Sequence, residues 1–247
     1  MRVMSLSSPR LTTTQWRLSG LCGFRTLPLV ADFQAIFERD PAATHWLAVL
    51  LCSAGLHAIA LHRLAHALHR QQLPLLPRLI SHLSRCLTGI EIHPGAQLGR
   101  GLVIDHGMGV VIGETAIVGD YVLIYQGVTL GGTGKETGKR HPTVGNRVVI
   151  GAGAKVLGNI HIGEGARIGA GSVVLTAVPA NCTAVGVPNR IVGRCNIADA
   201  PLNHAQLPDA EAATIRQLLD RIEALETQVQ QLAAARALTP SPVLSHE

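Results

Sequence analysis

The chain has 247 residues, of which 47% are hydrophobic but only 3% aromatic, and a net charge of +5. The length suits one or two domains with ample apolar material for a core. So few rings argue against a sandwich or barrel, and the basic balance comes without the dense Lys/Arg block or aromatic interleaving of a nucleic-acid surface; it suits a polyanionic small molecule.

Residues 1–30 mix Ser, Thr and Pro and read as disordered. Arg2 is followed by no sustained apolar h-region, so no signal peptide is expected. Residues 31–89 read as a helical domain. Asp40-Pro41 has the form of a helix start, a carboxylate at the N-cap and proline at N1. The stretch 44–72 has helical spacing. Its most apolar part, Trp46 to Leu61, is too short for a membrane span and contains His57, so a buried helix is expected and no membrane is implied. Pro74 and Pro77 interrupt, a second helix covers 77–88, and Gly89 ends it. His62, His66 and His69 share a helical face, but no fourth ligand accompanies them, so no metal is expected.

From residue 90 the chain reads in hexapeptides. Aliphatic residues stand at Ile92, Leu98, Ile104, Val110, Ala116, Val122 and Val128; the register breaks once and resumes at Val144, Ile150, Val156, Ile162, Ile168 and Val174. A fixed period of six fits neither a helix nor plain strand alternation. It fits a solenoid whose three flat rungs close a triangular coil, with the aliphatic residues stacked inside and glycines at the corners. The solenoid is expected over 90–195. Beyond it, Ile215, Leu218, Ile222, Leu225, Val229 and Leu232 form a heptad seam. A helix over 209–238 is expected, either coiled with other copies or lying on the body, with a disordered tail at 239–247. The five cysteines, Cys22, Cys52, Cys86, Cys182 and Cys195, are odd in number and include no C-x-x-C pair. They argue against a disulfide framework and for a reducing, cytoplasmic location.

The chemistry gathers at interruptions. Residues 131–142 leave the repeat, and a loop leaving a rigid scaffold is where function tends to sit. Arg140 offers a fork for a carboxylate and the adjacent His141 titrates near neutrality. Thr133, among glycines, could offer backbone N–H groups to an anion, although the order is not that of a nucleotide P-loop. A second cluster is Asp105-His106. Glu91 lies fifteen residues before His106, close to one turn of the coil, so the two are expected to meet. A carboxylate that holds one imidazole nitrogen leaves the other free to act as a general base toward a substrate hydroxyl.

The runs I-E-I-H-P-G-A-Q-L-G-R-G-L-V-I-D-H-G (90–107), V-V-I-G-E-T-A (110–116), V-T-L-G-G-T-G-K (128–135), K-R-H-P (139–142), V-I-G-A-G-A-K-V-L-G-N-I (149–160) and A-V-G-V-P-N-R-I-V-G (184–193) resemble serine O-acetyltransferase, a hexapeptide-repeat acyltransferase of cysteine biosynthesis. The resemblance covers about residues 32–195. It implies a mainly β chain with an α-helical N-terminal part, a left-handed parallel β-helix and a C-terminal helix. It implies transfer of acetyl from acetyl-CoA, a co-substrate, to the hydroxyl of L-serine, with no metal. His106 would be the general base and Glu91 its carboxylate partner, in a place where the family often has aspartate. His141 would be a second active-site histidine. Asp40 and Asp105 would bind the serine amino group, Arg140 its carboxylate, and Glu114 would be a further acidic site residue. Gly132, Thr133, Ala152 and Ala170 would line the acetyl-CoA channel.

The resemblance further implies a homotrimer, with active sites between neighbours and cysteine as feedback inhibitor. The helical domain is shorter than in long-form members, which join two trimers through extra helices, so trimer and hexamer both stand. The chain ends Leu244-Ser245-His246-Glu247, without the isoleucine that long-form enzymes insert into O-acetylserine sulfhydrylase, so that complex is not expected. Three rivals remain. A sugar or antibiotic O-acetyltransferase would have less use for Arg140 and Asp40, which suit a zwitterion. A β-helical zinc carbonic anhydrase would need His93, His106 and His141 spaced otherwise. A scaffold recruiting partners through the heptad helix would not need Glu91, His106, Arg140 and His141.

Overall fold

The computed structural model describes residues 27–134, 137–192, 195 and 210–237, and within the last segment the side chains of 215–231. Four helices come first: α1 (Pro28–Arg39), α2 (Trp46–Cys52), α3 (Ala54–Arg70) and α4 (Leu76–Thr88). The residues expected to be disordered, 1–30, lie outside the described part up to residue 26, but Pro28 already opens α1. The Asp40-Pro41 start is not observed. Asp40 is the C-cap of α1, and its Oδ1 accepts from the Ala42 N–H at 2.8 Å. The carboxylate thus closes a turn after one helix instead of opening the next. The expected helix over 44–72 is two. Ser53 caps the second, its Oγ accepting from Leu56 N, and α2 and α3 are bent by 62° there. Nor is α2 buried: Val49 is its one core residue, while Trp46, Leu47, Leu50 and Leu51 are exposed. Among the described residues no single helix is long and apolar enough to cross a membrane.

Gly89, at φ 71°, ends α4 and turns the chain into the solenoid. Three parallel sheets form its sides. The first contains β1 (Glu91–Ile92), β4 (Val111–Ile112), β7 (Thr129–Gly131), β10 (Lys155–Leu157) and β13 (Val173–Val174). The second contains β2 (Gln97–Leu98), β5 (Ile117–Val118), β8 (Thr143–Val144) and β11 (His161–Ile162). The third contains β3 (Val103–Ile104), β6 (Leu123–Ile124), β9 (Val149–Ile150), β12 (Arg167–Ile168), β14 (Thr183–Val185) and β15 (Arg190–Val192), the last antiparallel to β14. Short strands suffice because every backbone group of a rung finds its partner one coil away.

The interior is aliphatic. Two rows of residues point inward on each side, as in Ile90 and Ile92 or Val122 and Ile124, all nearly or fully buried. The single register break expected from the sequence is corrected to two. Glu91 pairs with Val111 but Val111 with Thr129, so the first coil carries two residues more than the next. The extra pair falls between β3 and β4, where Met108 O accepts from Gly127 N just as Gln126 O accepts from Gly153 N. The added residues are therefore His106 and Gly107. The positions from Ile92 to Ile104 lie in one interior row and those from Val110 to Val128 in the other. The period alone concealed the shift because both rows are aliphatic. The second break is the loop between β7 and β8, which lengthens the Thr129-to-Lys155 coil.

The helices close one end. Ala58 and Ile59 of α3 join the solenoid core above Ile90 and Leu102. α1 lies on the outside of the third sheet, where Ala35 and Ile36 pack with Val103, Leu123 and Val149. That explains why these outward strand residues are also buried. Asp32 anchors the junction. Its Oδ2 accepts from Arg63 Nε at 2.8 Å and its Oδ1 from Leu102 N at 3.1 Å, so a fully buried carboxylate ties α1, α3 and the first coil together.

The expectation of free cysteines is also corrected. Cys182 and Cys195 form a disulfide. The β14–β15 turn returns Val192 to Thr183, so the residue before β14 and the residue three beyond β15 arrive side by side. Cys52 and Cys86 are free and exposed, and Cys22 lies outside the described residues. Finally, α5 (Ala210–Ala237) matches the expected C-terminal helix. Ile215, Leu218, Ile222, Leu225 and Val229 are all exposed, so this chain's body does not cover its seam. The side chain of Leu232 and the tail lie outside the described residues.

Candidate active site

Two clusters stand on different corners of the solenoid. The corner between the third and first sheets carries Asp105 and His106. His106 has φ 58° and its side chain is 74% exposed, because the two-residue insertion pushes it off the corner. Its Nε2 lies 3.9 Å from Asp105 Oδ1, too long for a hydrogen bond. Asp40, at the end of α1, shares a cleft of about 490 Å³ with Thr44, His45, Asp105 and His106. Two carboxylates and two imidazoles thus face one space, although the two aspartates stand 65 positions apart in sequence.

Glu91 is not brought to His106. Its Oε2 accepts from Arg85 Nη1 of α4 at 2.9 Å. Fifteen residues is close to one coil, but β1 points Glu91 outward from the first sheet while His106 projects from the corner beside it.

The corner between the first and second sheets carries Glu114, Arg140 and His141. Arg140 Nη2 donates to Glu114 Oε2 at 2.5 Å. That hydrogen bond holds the Glu114 carboxyl below its ordinary range. Thr115 is the anchor of the loop foot, and sequence reasoning missed it. Its Oγ1 accepts from Arg140 N (3.1 Å) and His141 N (3.2 Å), and its own N–H donates to His141 Nδ1 at 3.2 Å. Lys139, also missed, donates from Nζ to the carbonyls of Thr115 and His141 at 2.7 and 2.6 Å. The only signal was adjacency to Glu114 and Arg140.

Because His141 Nδ1 accepts, its ring proton sits on Nε2. Burial and the Arg140 charge push its pKa down, so it stays neutral near pH 7. His141 is therefore a fixed hydrogen-bond donor through Nε2. Gly113 makes room for it: a Cβ there would lie 2.1 Å from that nitrogen.

The four remaining residues divide in the same way. Gly132 and Thr133 leave the first sheet on the Arg140 corner, exposed, with Thr133 over Gly158. Ala152 and Ala170 stand on the His106 corner, on the third and fourth coils, where Gly171 N donates to Ala152 O. Beside them Gly127, Gly153 and Gly171, all near φ 70°, stack without side chains. This corner is a smooth rail leading away from His106.

His62, His66 and His69 face the solenoid: His66 Nδ1 lies 2.8 Å from Pro94 O, and the His69 ring 6.2 Å from that of His93. Among the described residues no group of three or more metal-ligating side chains could hold an ion.

Residues 141–176 match the model of the bacterial transferase hexapeptide family (six repeats). Fold and site together define a transferase built on hexapeptide repeats. A serine acetyltransferase of Synechococcus elongatus is 68% identical over 209 residues, 85% of each chain. Solved structures agree. A serine acetyltransferase in complex with cysteine has a TM-score of 0.71 at 45% identity, over 74% of this chain and 71% of that one. Soybean serine acetyltransferase complexed with serine has 0.66 at 50%, over 67% and 68%. The chain belongs to the serine acetyltransferase family.

Proposed function

We propose that this protein transfers acetyl from acetyl-CoA to the hydroxyl of L-serine, giving O-acetylserine and CoA, at sites formed between copies of the chain. The observation that carries this reading is the division of the site. Asp40, Asp105 and His106 occupy one edge of the first sheet, and Glu114, Arg140 and His141 the other. A neighbour that turns its Arg140 corner toward this chain's His106 corner completes the set, and threefold symmetry repeats it three times. The acetyl-CoA residues divide over the same corners, which suits a cofactor lying in the seam along the glycine rail. A left-handed winding fits this reading, against the usual right-handed crossover.

In the assembled site, Asp40 and Asp105 meet the serine ammonium, and Arg140, steadied by Glu114, offers its guanidinium to the carboxylate. His106 takes the hydroxyl proton as the oxygen attacks the thioester carbonyl. The tetrahedral intermediate collapses with loss of the CoA sulfur, which receives the proton from His106. The neutral Nε2–H of His141 is suited to a substrate oxygen that bears negative charge. Glu91 would orient His106 in this reading only after leaving Arg85, which holds it in the single chain.

Support also comes from the family: relatives have been solved with serine and with cysteine. Cysteine carries serine's amine and carboxylate and would compete through the same groups. The deciding experiment compares acetyl-CoA consumption with serine, threonine, homoserine and a galactoside. Serine is expected to lead in kcat/KM, with millimolar cysteine raising the apparent KM for serine. A faster galactoside would overturn the assignment.

A further inference from the structure

Tyr125 occupies on the second coil the place that Asp105 holds on the first. Ile104 pairs with Ile124, and the next backbone hydrogen bonds run from Asp105 N to Ile124 O at 2.9 Å and from Tyr125 N to Ile150 O at 3.1 Å. On the third and fourth coils this row holds Gly151 and Gly169. A ring therefore appears in this row only on the coil that touches the proposed ammonium site. It is partly buried and packs against the cluster that α1, α2 and the third sheet form together. The charges that act on the phenol are Asp105, Arg39 and Asp40, from the end of α1 and the His106 corner. Burial and then Asp105 push the phenol above its ordinary pKa, so its O–H is retained through the neutral range.

We propose that Tyr125 is a positioning residue for the amino-acid substrate, its hydroxyl donating to the Asp105 carboxylate on the preceding coil and fixing it beside Asp40 for the serine ammonium. This rests on the assignment of those two aspartates to the amino group. A neutral donor suits the place. Two carboxylates aimed at one cation repel each other until the cation arrives. An O–H donated to one of them eases that repulsion without a positive charge to compete for the site.

The test is steady-state kinetics on the full chain carrying Tyr125→Phe, Tyr125→His or Asp105→Asn, with serine and acetyl-CoA varied separately from pH 5.5 to 9. Tyr125→Phe is expected to raise the KM for serine about ten- to a hundredfold, the loss of one hydrogen bond to a charged group, with kcat within about twofold and the KM for acetyl-CoA unchanged. Tyr125→His, which keeps a ring and a donor, is expected to hold the KM for serine within about threefold. An unmoved serine KM in Tyr125→Phe overturns the proposal, as does an equal rise for acetyl-CoA or equal loss in the Phe and His variants. If Asp105→Asn also leaves serine affinity intact, the assignment of the aspartates falls with it. If Asp105→Asn weakens serine and Tyr125→Phe does not, only the role of Tyr125 falls.

Discussion

Arg85 and Glu91 form an ion pair across the junction of α4 and β1, Nη1 2.9 Å from Oε2. Both side chains are about half exposed, so the pair adds little to stability. It does decide where the Glu91 carboxylate rests in the single chain. Glu91→Gln, which keeps the shape and removes the charge, is expected to lower kcat by less than loss of His106, and Glu91→Asp to be better tolerated. Equal damage from both in a turnover assay would show that the charge and the length of the side chain are both required.

His106→Ala is expected to lower kcat by about two to four powers of ten, the usual range for a general base. The residue is 74% exposed and packs on little, so the melting temperature should hardly move. Near-wild-type turnover in the folded variant would remove His106 from the chemistry.

Arg140→Lys keeps the charge but loses the planar fork that meets Glu114 and that the proposed function turns toward the serine carboxylate. The KM for serine should rise far more than that for acetyl-CoA. The reverse pattern would mean that Arg140 reads the cofactor.

His62 is buried on α3, and burial pushes its pKa down to about 3, with the His66 and Arg63 charges adding to the shift. Unfolding returns it to an ordinary value near 6.5, so below that pH the unfolded chain binds a proton that the folded chain refuses. Stability is therefore lost as pH falls from about 6.5 toward 3, by about 2 kcal/mol at pH 5. Urea midpoints should drop between pH 7 and 5 less steeply for His62→Gln than for wild type. Parallel slopes would show that His62 does not set them.

Deleting residues 209–247 is expected to leave an active trimer of lower thermal stability. The seam alternates β-branched residues with leucine, a pattern that favours two strands in isolated coiled coils, whereas the solenoids would impose threefold symmetry. Light scattering on both chains decides. A fall from six subunits to three would mean that α5 joins trimers, and a fall to monomers that it is essential to assembly.

Much of the fold was legible in the residues alone. A hexapeptide period can be satisfied in few ways, because each aliphatic residue must stack on the one a coil away. The solenoid was therefore readable from Ile90 to Val192, and so were the ends of α4, marked by Pro77 and Gly89. The helical domain was read less well. The stop at Asp40 and the bend at Ser53 depend on which side-chain oxygen finds a backbone N–H, and both residues can cap either end of a turn.

Residue types alone determined the chemistry on offer: an imidazole, paired carboxylates and a guanidinium at the interruptions of a repeat. Tertiary structure decided which of them meet. It set Asp40 beside Asp105 and His106, tied Glu91 to Arg85 and Arg140 to Glu114, and put His106 on a two-residue insertion hidden by two equally aliphatic interior rows. It also paired Cys182 with Cys195 through a strand that folds back, which no count of cysteines could reveal. The physical reason is common to all of these. Spacing along a chain fixes which coil a residue occupies, but the corner it stands on and the direction it faces depend on how many residues each coil contains and on what packs against it.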